Sequence, residues 1–358
     1  MRLHPISWVM WALGAATCAL LTRNPLYLVR IGLSAGLVML TAGTRTQARS
    51  WQQLLKLGAV VWLVTIPFNA LMLHAGKHVL LHLPQTWPLI GGNITLEAVL
   101  FGAAAGLALW VLLLIFSAFN IALDSSELIR LIPPAFYQVG LITSIGLTYV
   151  PQMLKSSLEI REAQRVRGHR FRSWRDTTPL VMPLVTSSLE RAMQLAESME
   201  ARGFGGSGQE QTTRQQLFNS LLALCGMALL VAVLGIQLWL RQYPWWLVGL
   251  FVLALGLLGM AILRQSRAAR RSRYRPRRWH SVDTLLTAGA LIAAASMLAA
   301  RIVGGTHLQY YPFPPNGLLP GFTPWVGVAM LFLALPALVS LALAPAPPSR
   351  RTEEGVPQ

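Results

Sequence analysis

Acidic side chains are scarce in this chain. Its 358 residues hold 13 Asp and Glu against 30 Lys and Arg, a net charge of +17. Glu97, Asp124 and Asp283 flank apolar runs, and the other ten acids fall in polar segments or the tail, so no apolar run carries an acid near its middle. Proton-coupled carriers and intramembrane enzymes usually keep ionisable groups at depth, so this scarcity argues against both. Cysteine is nearly absent too. Cys18 and Cys225 each lie inside an apolar run. They read as small core residues, without a disulfide framework or a thiolate metal site. Nucleotide-loop and metalloprotease motifs are missing: there is no G-x-x-x-x-G-K-[ST] or H-E-x-x-H. Gly203 to Gly208 is glycine-rich but has no lysine. If ATP drives this protein, another chain binds it, and no cofactor is assigned here.

Apolar residues are abundant, at 54% of the chain. Several apolar runs reach the roughly 20 residues that cross a bilayer. The fold class is therefore all-α, a polytopic membrane protein of about eight spans in the order 4 + 2 + 2. The spans fall near 5–21, 26–43, 54–73, 95–120, 217–240, 245–263, 283–303 and 324–344. The first run lacks a small-x-small cleavage site and reads as a retained span. Basic residues gather in the polar connections, which favours the positive-inside rule over nucleic-acid binding. Placing 44–53 in the cytoplasm puts 124–216, 264–282 and the tail there as well, including the eight arginines of 264–278. The chain is thereby organised as a four-span domain 1–123, a cytoplasmic coupling domain 124–208, a hairpin 209–263, a basic segment with a last hairpin 264–344, and a disordered tail 345–358.

The polar stretch 152–205 carries one phrase twice. Glu162-Ala163-Gln164-Arg165-Val166-Arg167-Gly168 and Glu197-Ser198-Met199-Glu200-Ala201-Arg202-Gly203 both read E-x-x-x-x-R-G, 35 residues apart. The first ends a helical pattern running from 135, which Pro151 should bend or break. The second ends a helix that Thr177 or Thr178 can cap, with Pro179 in its first turn. On that helix Val185, Leu189, Ala192, Ala196 and Met199 form an amphipathic stripe, with Glu190, Gln194 and Glu197 off it. A single arginine before a glycine cap would only complement the helix dipole. Two in matched heptapeptides read as docking tips, since a guanidinium fork suits carboxylates in a partner's groove. Arg191, 11 residues before Arg202, extends the same basic edge, and Glu162 and Glu197 are candidate supports. Gly32-x-x-x-Gly36 and Gly102-x-x-x-Gly106 are candidate sites of close helix approach. His74, His78 and His82 recur every four residues and could share a helix face. No Asp, Glu or Cys accompanies them in that loop, so no metal is assigned.

Residues 124–205 resemble the coupling domain of the transmembrane T component of energy-coupling factor (ECF) importers. That family carries two Ala-Arg-Gly-like motifs at the tips of crossing cytoplasmic helices. Here they fall on Val166-Arg167-Gly168 and Ala201-Arg202-Gly203, with valine for alanine in the first. Ser198-Met199-Glu200-Ala201-Arg202-Gly203-Phe204-Gly205 is the closest stretch. His4-Pro5, Thr22-Arg23-Asn24-Pro25-Leu26, Pro67-Phe68-Asn69 and Arg273-Tyr274-Arg275-Pro276 resemble other parts of the family, and the hairpin 217–263 is an insertion. The resemblance implies a subunit of the cell membrane that hydrolyses nothing. It would join two ATP-binding cassette subunits, which hold ATP and Mg, to a small substrate-binding membrane subunit for a vitamin, vitamin precursor or transition-metal ion. Leu189, Ala196 and Met199 would hold that subunit. Two rivals remain. One is the permease of a conventional ATP-driven importer, since Glu162-Ala163 with Gly168 matches three of four positions of its coupling loop. The other is a secondary carrier or membrane enzyme.

Overall fold

The computed structural model describes residues 3–42, 48–82, 92–169, 174–204, 213–240, 245–268, 279–304, 307–314 and 317–342. Twelve helices and one two-stranded ribbon make up the described chain. In order they are α1 (Pro5–Leu21), α2 (Pro25–Ala42), α3 (Ala48–Met72), β1 (Val79–His82), β2 (Asn93–Thr95), α4 (Leu96–Ala122), α5 (Ser125–Ile129), α6 (Tyr137–Val166), α7 (Thr178–Ala201), α8 (Thr213–Leu240), α9 (Trp245–Ala268), α10 (Ser281–Ile302), α11 (Pro324–Leu331) and α12 (Leu335–Ala342). Six stretches are long and apolar enough to span a bilayer, with α11 and α12 together forming the last, and α1 and α2 are shorter apolar helices. These are the eight apolar segments read from the sequence. The chain is a multi-pass, all-α membrane protein.

Contacts divide the chain into two units, 1–127 with 276–358, and 128–275. In the first unit α1 packs on α10, α4 and α2, and α2 also packs on α4, α11 and α12. Small residues set these approaches. A Cβ on Gly14 would stand 2.9 Å from the Ala290 carbonyl oxygen, so α1 and α10 touch backbone to backbone. Gly102 and Gly106 meet the α3 backbone at Ile66 and Trp62 at 3.1–3.2 Å, the close approach their spacing predicts. Gly32 and Gly36 do not behave alike. Gly32 meets only side chains of α4, Val111 foremost, and Gly36 faces open space, so that pair brings no backbone close.

Polar groups of this unit are collected at helix ends. Asp283 is buried in the first turn of α10 and accepts from the His4 amide (2.8 Å), the Ser7 hydroxyl (3.1 Å) and the His280 amide (3.0 Å). It thereby ties the start of α1 to the start of α10. Asn24, in the turn between α1 and α2, donates from Nδ2 to the His307 and Gly321 carbonyls, both at 2.7 Å. Thr22 donates to Leu308 O at 2.7 Å, and the Thr323 amide donates to Tyr27 Oη at 2.6 Å. The 307–323 loop is thus laced onto the Thr-Arg-Asn-Pro turn.

The histidine-bearing loop is a β-ribbon and not a helix, which corrects the shared-face expectation. Val79 pairs with Thr95 and His82 with Asn93. His74 and His78 precede the strand and His82 ends it, so no helix face gathers the three. His82 Nδ1 meets Asn93 Oδ1 at 2.8 Å, and His78 Nδ1 meets Glu97 Oε1 at 2.9 Å. Glu97, buried in the first turn of α4, also accepts from the Lys77 amide at 2.9 Å. Among the described residues no group of His, Cys, Asp or Glu forms a metal site.

In the second unit α8 and α9 form an antiparallel pair. Leu247, Ala254 and Ala261 are buried seven residues apart on α9, facing buried Gly226 and Val233 on α8, a coiled-coil-like seam. The Arg264 guanidinium lies 5.0 Å from the Phe218 ring centroid and pins the open end. The pair is anchored where α9 packs on the short 3-10 turn Pro134–Phe136 that precedes α6.

Candidate functional site

The two E-x-x-x-x-R-G phrases end α6 and α7 with the same glycine-centred cap. At the first, the Gly168 amide donates to Arg165 O (2.9 Å) and the His169 amide to Gln164 O (3.0 Å). At the second, the Gly203 amide donates to Glu200 O (2.8 Å) and the Phe204 amide to Met199 O (2.9 Å). This is the Schellman pattern, and in these two bonds donor and acceptor of one copy are 35 residues from their counterparts; the arginine amides differ, Arg167 donating to Ala163 O and Arg202 to Met199 O. Gly168 and Gly203 have φ of 86° and 75°, the left-handed conformation such a cap demands. A Cβ on either would meet nothing within 4 Å. Glycine is therefore required here by backbone conformation alone.

Arg167 and Arg202 are the residues at which each helix closes, and both side chains are exposed. Ala201 is exposed, and Val166 is 85% exposed, high for an aliphatic side chain. The tips differ in the residue after the glycine. His169 Nε2 is held 2.9 Å from Asp176 O, whereas Phe204 remains 38% exposed.

The helices meet away from their tips. The Arg191 guanidinium donates to Ser156 Oγ at 3.3 Å, and the Tyr149 hydroxyl to Arg191 O at 3.4 Å. Ser156 and Arg191 are again 35 residues apart. Each lies 11 residues before its tip arginine, an arm of about 16 Å. The contact is thus equally far along each helix from its tip. Arg191 belongs to this crossing. Glu162 and Glu197 lie exposed five residues before their arginines.

Neither α6 nor α7 has a fully buried residue. Leu184, Ser187, Ser188 and Leu195 of α7 are half-buried. The predicted stripe is open: Val185, Leu189, Ala192 and Ala196 are exposed, Leu189 at 62%, and only Met199 is half-covered. Ile142, Val150, Leu154 and Leu158 form a similar bare face on α6. α6 runs unbroken through Pro151, and α7 through Pro183. Pro151 loses its own backbone bond, yet neighbouring turns keep theirs, so it does not end the helix. α7 begins from the 3-10 turn Trp174–Thr177, with Pro179 in its first turn as expected and no side-chain cap from Thr177. Gly205 to Gly208, the arginine-rich 269–278 and the 345–358 tail lie outside the described residues.

The chain is a multi-pass helical membrane protein that bears two exposed Arg-Gly tips on a contacting helix pair. The comparisons with known proteins give the family. Residues 3–214 match the CbiQ family, described as cobalt transport protein, and the chain belongs to it. An energy-coupling factor transporter transmembrane protein EcfT of Listeria innocua is 36% identical over 121 residues, covering 32% of this chain and 44% of that protein. The protein of the same description from Streptococcus equi is 33% identical over 123 residues, covering 33% and 45%. The one from Acidaminococcus fermentans is 28% identical over 251 residues, covering 64% and 88%. The chain thus spans less than half the length of the first two of these relatives. The family match stops at residue 214, where α8 begins.

Proposed function

We propose that this chain is the coupling component of an energy-coupling factor importer, with its α6–α7 module in the cytoplasm. Val166-Arg167-Gly168 and Ala201-Arg202-Gly203 dock into acidic grooves on two ATP-binding cassette subunits, flanked by Glu162 and Glu197. Those subunits hold ATP and Mg. The open stripe through Leu189, Ala196 and Met199 receives a small substrate-binding membrane subunit, whose cargo is a vitamin, vitamin precursor or transition-metal ion. Movement of the two grooves displaces the arms about the Ser156–Arg191 crossing, and the bare helix faces pass that displacement on.

The observation that carries this reading is the doubled cap. Two matching glycine caps, one register and equal arms present two guanidinium groups to two similar sockets. A conventional importer permease, which has one coupling loop per chain, has no use for the second copy. The acid-free middle of every span supports neither a secondary carrier nor a membrane enzyme.

The test is charge reversal at each tip. Arg202→Glu and Arg167→Glu should remain in the membrane fraction, with unchanged helix content, and lose the co-purifying ATPases. Full recovery of ATPase with Arg202→Glu would overturn the proposal. Transport by the wild-type chain alone in proteoliposomes would instead establish the carrier reading.

A further inference from the structure

One charged side chain lies inside an apolar helix and takes no part in the coupling module. Arg30 is five residues past the first residue of α2, about 7–8 Å along the helix axis. It is half-buried, and its guanidinium sits 5.7 Å from the Phe322 ring centroid. A Cβ on Gly327 of α11 would overlap both Arg30 Nη1 and the tip of the Phe322 ring. The missing side chain at 327 is therefore the space the guanidinium occupies. Aromatic stacking, with Tyr27 on Phe322 at 5.5 Å, and the Tyr27–Thr323 hydrogen bond fix the wall on which it rests.

This cation has no counter-charge among the described residues. The two fully buried carboxylates of this unit, Glu97 and Asp283, are satisfied by their own amide, hydroxyl and imidazole donors. An intramembrane arginine is costly unless it reaches the interface or an anion. Arg30 borders the bare face formed by Leu26, Val29 and Leu33. The same end of the unit carries half-exposed Tyr311 and Trp325, the amphipathic aromatics that sit at headgroup level. A stem of this length rises from that depth to the phosphate plane.

We infer that Arg30, held between Phe322 and Gly327, is a binding site for the phosphate of an anionic bilayer lipid seated against α2 and α11. A guanidinium offers paired N–H groups that suit the paired oxygens of a phosphodiester. A net negative headgroup is selected because a zwitterionic one brings its own cation. The coupling reading is not needed for this site, so either can fail alone.

The experiment uses the full chain, purified in detergent, delipidated, and examined by native mass spectrometry. It is titrated separately with phosphatidylglycerol, phosphatidylcholine and inorganic phosphate. Wild type should retain phosphatidylglycerol in preference to phosphatidylcholine, and inorganic phosphate should not displace it. Arg30→Gln should weaken retention about fivefold, the worth of one arginine at a lipid surface. Arg30→Lys should keep part of the preference, and Arg214→Gln in α8 should keep all of it. Gly327→Ala retains the charge but displaces the guanidinium and should also lose the preference, which covers the case of an unstable Arg30→Gln. Equal retention by wild type and either Arg30→Gln or Gly327→Ala overturns the site. So does displacement by equimolar inorganic phosphate, which would mark a soluble anion. A cross-link from position 30 to a carboxylate of a partner protein, with no lipid retained, assigns Arg30 to a protein interface and also overturns it.

Discussion

Replacing Gly203 by alanine isolates the tip geometry from everything around it. Gly203 has φ of 75°, and nothing lies within 4 Å of where its Cβ would be. Steric crowding therefore contributes nothing, and the whole cost is that of a left-handed L-residue, about 1–2 kcal/mol. The Phe204 amide is protected by its bond to Met199 O, and that bond exists only while residue 203 is left-handed. A cost of about 1–2 kcal/mol opens the cap roughly 5- to 30-fold more often, so exchange of the Phe204 amide should accelerate by that factor in Gly203→Ala. Asn tolerates the left-handed region, and Gly203→Asn should give only a small part of the effect. Amides in the middle of α7 should not change. Gly168→Ala should act the same way on the His169 amide, because the two caps share one geometry. Hydrogen–deuterium exchange of the purified chain reads all of this without any partner. An unchanged Phe204 amide in Gly203→Ala, or equal acceleration by Ala and Asn, would refute the conformational argument. If it stands, ATPase docking should weaken by a similar factor, since the arginine is then aimed correctly for a smaller part of the time.

Two further outcomes rest on the packing. Asp283→Asn places an amide N–H₂ where one of three donors now arrives, leaving unpaired groups in a buried site, and should cost about 1–3 kcal/mol in a denaturant or thermal-shift measurement. A Cβ on Gly58 of α3 would collide with the Trp110 indole on α4, so Gly58→Ala should lower stability by about 1–3 kcal/mol in the same measurement.

The spans are legible in the sequence because a bilayer imposes one composition over a fixed length, and the predicted ends agree with most of the helices to within a few residues. The tips are legible because one phrase recurs at one offset, and glycine after arginine announces a left-handed cap. Less can be read wherever partners come from distant parts of the chain. Glu97 and Asp283 are visibly beside spans, but nothing local says that one will bind His78 and its amide, or the other the His4 and Ser7 groups. Arg30 is inconspicuous inside an apolar run, because its space is defined by a glycine 297 residues away. The period of four in His74, His78 and His82 imitates a helix face, and the strand pairing of His82 with Asn93 dissolves it. Pro151 resembles a break because local rules weigh one lost hydrogen bond. The turns on either side keep their own bonds and carry α6 through it. Helical arithmetic places Arg191 on the tip edge, but its contacts with Ser156 and Tyr149 on α6 are not visible in the sequence.

The equal arms carry an evolutionary consequence. An α-helix turns by about 100° per residue. One amino acid inserted or deleted between Ser156 and Arg167, or between Arg191 and Arg202, would swing that guanidinium a quarter-turn or more around its rod and change its reach relative to the other. Substitutions there are negotiable one side chain at a time; a frame-preserving codon gain is not. Length variation among descendants of this chain should therefore avoid those two eleven-residue intervals and gather in the connections around them.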